Sequence, residues 1–411
     1  MKRLLIVFFA LHIVVPSIGQ EKDLNYFISR SLSNSPLLKE YENQQVSFSL
    51  DSMIIRAGLR AHVYGISTNS YAPVIHGWGY DDVITNGQQL SALVSVSKSF
   101  PGNKSVASLF TNLRIQSLST LNNTRISEQD IRKVVVDQYI TTYGEQLQLE
   151  FSHHINDLLQ KEDSLLKRLT QNNVYKQTDY LAFVVTLQQQ LLNASQLEIQ
   201  YNLDYTTLNY LAGIVDTTIV PLRDPQLSPV TSGNFANSVF YRQFELDSLK
   251  LLNERVLIGL SYRPRISLFA DAGYNSSLVY KPYKNIGTSV GLNLTIPIYD
   301  GQQKRIQYSK IDIQERTRIS KRDFFTRQRD QQILQLLQQL NSTDKLIGQV
   351  NKQIKYTETL ITVNEKLLAT GDIRLTEFIL TLNNYFNAKN LVTLNYISRL
   401  KIVNQLNYWG R

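Results

Sequence analysis

The stretch Val290-Gly-Leu-Asn-Leu-Thr-Ile-Pro-Ile-Tyr-Asp-Gly301 marks a change of period. Before Asp300, the residues Val290, Leu292, Leu294, Ile296 and Ile298 alternate with Gly291, Asn293, Thr295, Pro297 and Tyr299. That two-residue period predicts a strand with one apolar face and one small or polar face. Beyond Gly301 the spacing becomes helical. Ile333, Leu336, Leu340, Thr343, Ile347, Val350, Ile354, Thr357, Ile361, Asn364 and Leu368 step by three and four without a slip, the seam of a coiled coil. No proline interrupts Gly301 to Gly371. A helix of about 65 residues is therefore allowed, about 100 Å long at 1.5 Å per residue. After a break at Ala369-Thr370-Gly371, a second helix of about 35 residues returns through Phe378, Leu382, Phe386 and Ala388 to Tyr408.

The same succession occurs earlier in the chain. Gly58-Leu59-Arg60 matches Gly259-Leu260-Ser261, and Pro101-Gly102 matches Asp300-Gly301. Asn173-Val-Tyr-Lys-Gln-Thr-Asp-Tyr180 matches Gly371-Asp-Ile-Arg-Leu-Thr-Glu-Phe378, and Leu208-Asn209-Tyr210 matches Leu406-Asn407-Tyr408. All four pairs keep their order at an offset of about 200 residues, which predicts a tandem duplication. Residues 20–215 form repeat 1, with its hairpin tip near 173–180. Residues 236–411 form repeat 2, with its tip near 371–378. Between them, 216–235 carries Pro221, Pro225 and Pro229 with Asp216, Asp224 and Ser228, and reads as a linker. Each repeat is expected to open on a helix.

In copy one, Val94, Val96 and Phe100 alternate with Ser95, Ser97 and Ser99, although Lys98 falls on the apolar face. Ala61–Ser67 and Ile266–Tyr274 are the expected partner strands. The loops joining each pair hold Tyr71, Trp78 and Tyr80, and Tyr280 and Tyr283, aromatics of the kind that girdle a membrane interface. Four such strands suit a barrel wall between lipid and water, and equally a soluble sandwich. The first helical hairpin turns at Asn173 and returns through Leu181, Val184, Leu187, Leu191 and Ala194. Asn173 and Gly371 occupy matched positions, and these are the residue types that most easily take the left-handed conformation ending a helix. The fold class expected is α+β, a duplicated strand pair plus long helical hairpin.

The first residues of the chain, Lys2 and Arg3, a run from Leu4 to Val15, then Pro16, Ser17 and Gly19, read as a secretory signal at 1–19 with cleavage before Gln20. No later apolar run is long enough for a spanning helix, so any passage through a bilayer falls to strands. The absence of cysteine excludes disulfides, thiolate metal sites, a Cys nucleophile and a lipid-bearing Cys. The net charge of +9 is spread along the chain. Its densest stretch, Lys304 to Arg329, also holds Asp312, Glu315 and Asp323 and reads as a solvated helix face rather than a nucleic-acid surface. His62 and His76 stand alone, and the adjacent His153 and His154 diverge by about 100° on a helix, without the spacing of a metal pair. No nucleophile motif or phosphate loop occurs. No enzyme, cofactor or metal site is expected.

A secretory signal, two strand pairs each joined to a long hairpin, and a strand ending in Pro297-Ile-Tyr-Asp-Gly301 together resemble the TolC family of outer-membrane efflux proteins. The likeness covers nearly all of the chain after the signal. Its most specific pieces are that strand end and the tip motif of Gly, five residues and an acid, fitted by Gly371 to Glu377. Copy one departs from it, with Asn173 in place of Gly and Pro101-Gly102 without an acid. The resemblance implies a homotrimer whose strands close a 12-stranded outer-membrane barrel, continued by a helical tunnel in the periplasm. It also implies a periplasmic adaptor protein and an inner-membrane transporter as partners, in a tripartite efflux or type I secretion system. Asn173, Lys176, Asp179, Gly371, Arg374 and Glu377 are then the entrance or adaptor-docking tips. Read without the resemblance, Lys176 with Asp179 and Arg374 with Glu377 are (i, i+3) salt bridges near a helix start. Two rival readings are a periplasmic coiled-coil adaptor, which would carry one hairpin, and a secreted scaffold with no channel. The exported cargo has no signature in the residues.

Overall fold

The computed structural model describes residues 22–79, 88–230 and 238–410. The expected signal, Tyr80 and the end of the expected linker lie outside the described residues. The chain runs α1 (Leu24–Asn34), α2 (Pro36–Gly58), β1 (His62–Tyr71), β2 (Gln88–Phe100), α3 (Asn103–Gln171) and α4 (Gln177–Leu211). It then runs α5 (Val239–Ser261), β3 (Arg265–Ser276), β4 (Ile286–Thr295), α6 (Gln303–Thr370) and α7 (Leu375–Gly410). The duplication is visible in these lengths. α2 and α5 have 23 residues each, α3 and α6 have 69 and 68, and α4 and α7 have 35 and 36. The N-terminal helix expected before the first strand pair is two helices. α1 is capped by the Asp23 carboxylate, which accepts from the Tyr26 amide at 2.8 Å. Pro36 restarts the chain as α2, since proline's fixed φ suits a first helical turn.

Strand limits differ from those expected. β4 ends at Thr295, so Ile296 to Tyr299 leave the ladder, and it begins earlier, at Ile286. Pro297 has no N–H to give a ladder, which explains the early end. β1 continues past Ser67 to Tyr71, placing Tyr71 in the strand rather than the loop.

Two compact units form. One takes the chain up to Ser35 with Glu128–Thr231 and Gln332–Gly410, and the other takes Pro36–Ser127 with Ser232–Gln331. Each draws on both repeats, so a repeat is not a unit of packing. In the first unit every expected seam position of α6 from Ile333 to Leu368 is buried or half-buried, while most residues between them face outward. Leu159, Leu166, Phe183 and Leu187 of the first hairpin pack with Ile361, Leu368, Phe378 and Leu382 of the second in one core. On the first hairpin's return, Leu181 is exposed and Phe183 takes the core position.

The segment 212–230 carries no helix or strand, yet it is fastened along its length. Tyr139 Oη donates to the Arg223 carbonyl at 2.7 Å, and the Leu222 amide donates to Gln146 Oε1 at 2.7 Å. Tyr396 Oη donates to the Asp224 carboxylate, and the Val230 amide donates to Asn407 Oδ1 at 2.7 Å. Prolines deny this stretch its own ladder, so side chains of α3 and α7 satisfy its backbone instead.

Candidate functional site

In the second unit the strands form one antiparallel sheet in the order β1-β2-β3-β4. Register sorts the side chains into two faces, because successive residues of a strand point oppositely. Across one face run Val63, Val96, Ala270 and Val290, and beside them Phe100, Ile266 and Leu294. Across the other run Tyr64, Ser95, Asp271 and Ser289. In the inner strand β2 burial is inverted relative to a soluble sheet, with Val94 and Val96 54% and 38% exposed and Ser91 and Ser95 buried, while on the edge strands Val63 and Val290 are 65% and 82% exposed. Lys98 stands on the apolar face near the strand end, its Nζ 5.3 Å from the Phe100 ring, the posture of a snorkelling lysine. Among the described residues β1 and β4 each pair on one side only, leaving two open edges.

In the first unit the two hairpin tips repeat one backbone design. Asn173 (φ 58°) and Gly371 (φ 80°) are both left-handed. At each tip the same two bonds close the helix end. Asn173 N donates to Thr170 O and Val174 N to Leu169 O, as Gly371 N does to Leu368 O and Asp372 N to Leu367 O. This is the glycine-type helix stop. Lys176 and Arg374 then stand at the starts of α4 and α7, and their carbonyls accept from the amides of Asp179 and Tyr180 and of Glu377 and Phe378. The charged side chains, however, do not pair. Among the described residues neither Lys176 with Asp179 nor Arg374 with Glu377 forms a salt bridge, contrary to the simple (i, i+3) expectation. Lys176 is extended (ψ 145°), and its side chain therefore leaves the helix face on which such neighbours meet. Lys176, Arg374 and Glu377 are exposed and Asp179 is half-buried.

A residue the spacing did not single out joins the tips. Tyr175 is buried, and its Oη lies 3.1 Å from both the Leu368 and Ile373 carbonyls of the second tip. Burial, with Asp372 nearby, raises its phenol above the ordinary tyrosine range. Gly371 completes the fit, since a Cβ there would stand 2.7 Å from Val174 Cγ1. The only sequence sign of this clasp is an aromatic in tip one where tip two has Ile373. Also overlooked was Glu162 on α3, 4% exposed, whose Oε2 has no hydrogen-bond partner. Burial and then the charge of Glu365 raise its pKa. His153 and His154 sit exposed on α3.

Neither a family model nor a curated protein matches the chain by sequence. Solved structures do match its fold. The outer-membrane protein VceC of Vibrio cholerae superposes with a TM-score of 0.72 at 11% identity, over 94% of this chain and 96% of its own. CusC, described as forming a transmembrane channel, gives 0.74 at 12%, over 95% and 92%. The MtrE outer-membrane channel of Neisseria gonorrhoeae, in its open state, gives 0.72 at 12%, over 94% and 88%. Along almost its whole length, the chain has the fold of the TolC-like outer-membrane channels.

Proposed function

We propose that this chain is one subunit of an outer-membrane export channel, a passive duct that catalyses no reaction. The observation that carries the reading is the inverted sheet. Leaving Val63, Val290, Leu292 and Leu294 in water forfeits the stabilisation of burial, about 25 cal/mol per Å². Hydrocarbon removes that cost, and strands of 10–13 residues meet the roughly 9–11 needed to cross a tilted path through it. Open edges are not tolerated in hydrocarbon, so copies of the chain must close the sheet. Three chains would give a 12-stranded barrel, with the hairpins projecting into the periplasm as a tunnel. The repeats at 20–215 and 236–411 each supply one strand pair and one hairpin.

The tips are the entrance, and their unpaired Lys176, Asp179, Arg374 and Glu377 offer charge to a periplasmic adaptor that couples the duct to an inner-membrane transporter. Asn173 and Gly371 set the backbone on which those charges stand. The test is to express the full chain in a Gram-negative host, separate the membranes, and reconstitute the detergent-extracted protein into planar bilayers. A trimer from the outer membrane with stepwise conductance is expected. A monomer in the soluble fraction would sink the proposal.

A further inference from the structure

We infer that the β3–β4 connection is a binding site for the phosphate of a net-anionic lipid headgroup, formed by Lys281 and Lys284. The inference rests on the outer-membrane reading above and adds to it a lipid contact at a defined place. Because the strands are antiparallel in sequence order, the β1–β2 and β3–β4 connections share one end of the sheet, opposite the helices. The connection reads Ser276-Ser-Leu-Val-Tyr-Lys-Pro-Tyr-Lys-Asn-Ile286, with two lysines and no acid. Neither lysine has an acidic partner among the described residues.

The loop is held in shape. Asn285 Nδ2 donates to Ser276 Oγ at 2.6 Å and to the Tyr280 carbonyl at 3.3 Å. The Asn275 amide donates to the Asn285 carbonyl, and the Lys284 amide to the Lys281 carbonyl at 2.9 Å. That last bond closes a turn, which by its geometry keeps the two lysine Cα atoms within about 7 Å. Lys281 takes the left-handed conformation (φ 38°, ψ 59°) to make it.

Each ammonium is carried on an aromatic ring. Lys281 Nζ lies 5.1 Å from the Tyr280 centroid, and Lys284 Nζ lies 5.8 Å from that of Tyr283. Both rings are largely exposed, and so are Val279 and Ile286 beside them. Apolar side chains at the edge of an apolar face, then tyrosines, then lysines is the order of chemistry met on leaving hydrocarbon for a headgroup layer. The turn puts two lysines on one short loop, with no acid paired to either among the described residues, and a phosphate offers both a charge-assisted partner. A net-anionic lipid supplies that group at the height where the loop stands.

The test uses the full-length protein with Trp78→Phe, Trp409→Phe and Tyr283→Trp, leaving one tryptophan, excited selectively, at the site. It is reconstituted into phosphatidylcholine vesicles containing equal fractions of either brominated phosphatidylglycerol or brominated phosphatidylcholine. Stronger quenching by the anionic lipid is expected. Adding Lys281→Gln and Lys284→Gln should lower that preference roughly fivefold or more, from the usual contribution of a lysine at an anionic surface. Equal quenching by the two lipids, or a preference unchanged in the double variant, would each overturn the site while leaving the channel reading intact. Absence of quenching by either lipid would mean that the sheet is not in the bilayer, and would overturn both.

Discussion

Two side chains set the behaviour of the hairpin ends. Tyr175 gives one hydroxyl to two carbonyls of the neighbouring tip. Tyr175→Phe keeps the ring and removes the clasp, and should cost about 1 kcal/mol in denaturant unfolding. Glu162 works in the opposite sense. Its carboxyl titrates above its ordinary value of 4.5 in the folded chain, so the fold holds the proton more tightly than the unfolded chain does. Its contribution is then fully present below that ordinary value and is lost as pH rises through the raised one. Glu162→Gln should flatten this dependence. Melting temperatures from pH 4 to pH 8 should show the wild type losing more than the variant as pH rises, and parallel curves would refute the assignment. Sequence could not have supplied either role, because helical spacing places Glu162 on α3 but not what lies across from it.

At the scale of single elements, the tips and the strands can be tested separately. Gly371→Ala forces a Cβ into the left-handed region and against Val174, and should destabilise by about 1–2 kcal/mol from the backbone term alone. Asn173→Gly, by contrast, relaxes its tip and should leave the unfolding midpoint nearly unchanged. In the sheet, Leu292 is already 62% exposed, so Leu292→Lys should scarcely alter an isolated chain in water. In a bilayer the same change should cost about 2–4 kcal/mol near the midplane, read as a loss of outer-membrane trimer, while Ser289→Lys on the polar face should assemble normally.

Much of this was legible in the residues because periods of two and of three-to-four are direct images of strand and helix faces. The seam from Ile333 to Leu368 and the left-handed stops at Asn173 and Gly371 follow from such local rules. Where local rules gave out, the reading slipped. Alternation alone carried β4 on to Tyr299 although Pro297 cannot serve a ladder, and stopped β1 at Ser67 although Tyr71 still pairs. The (i, i+3) salt bridges failed because the spacing assumes two helical residues, and Lys176 is not one.

For the whole molecule, the function lies in what the chain leaves unfinished. On the proposed function, replacing the tip charges together, Lys176→Gln, Asp179→Asn, Arg374→Gln and Glu377→Gln, should weaken adaptor cross-linking and export while trimer assembly persists, since among the described residues none of the four forms a salt bridge and none is buried. Unimpaired export by this variant would remove the tips from the docking role.

The two bare edges of the sheet carry a consequence in time. On the channel reading proposed above, β1 and β4 offer unpaired N–H and C=O groups to any strand they meet until copies of the chain close the sheet. Correct closure and misassembly are then rival reactions of the same intermediate, and the outcome is decided by rate. Slow delivery to the membrane or a surplus of chains should favour misassembly. Yield should therefore fall as expression rises, and a periplasmic holdase that masks strand edges should restore it.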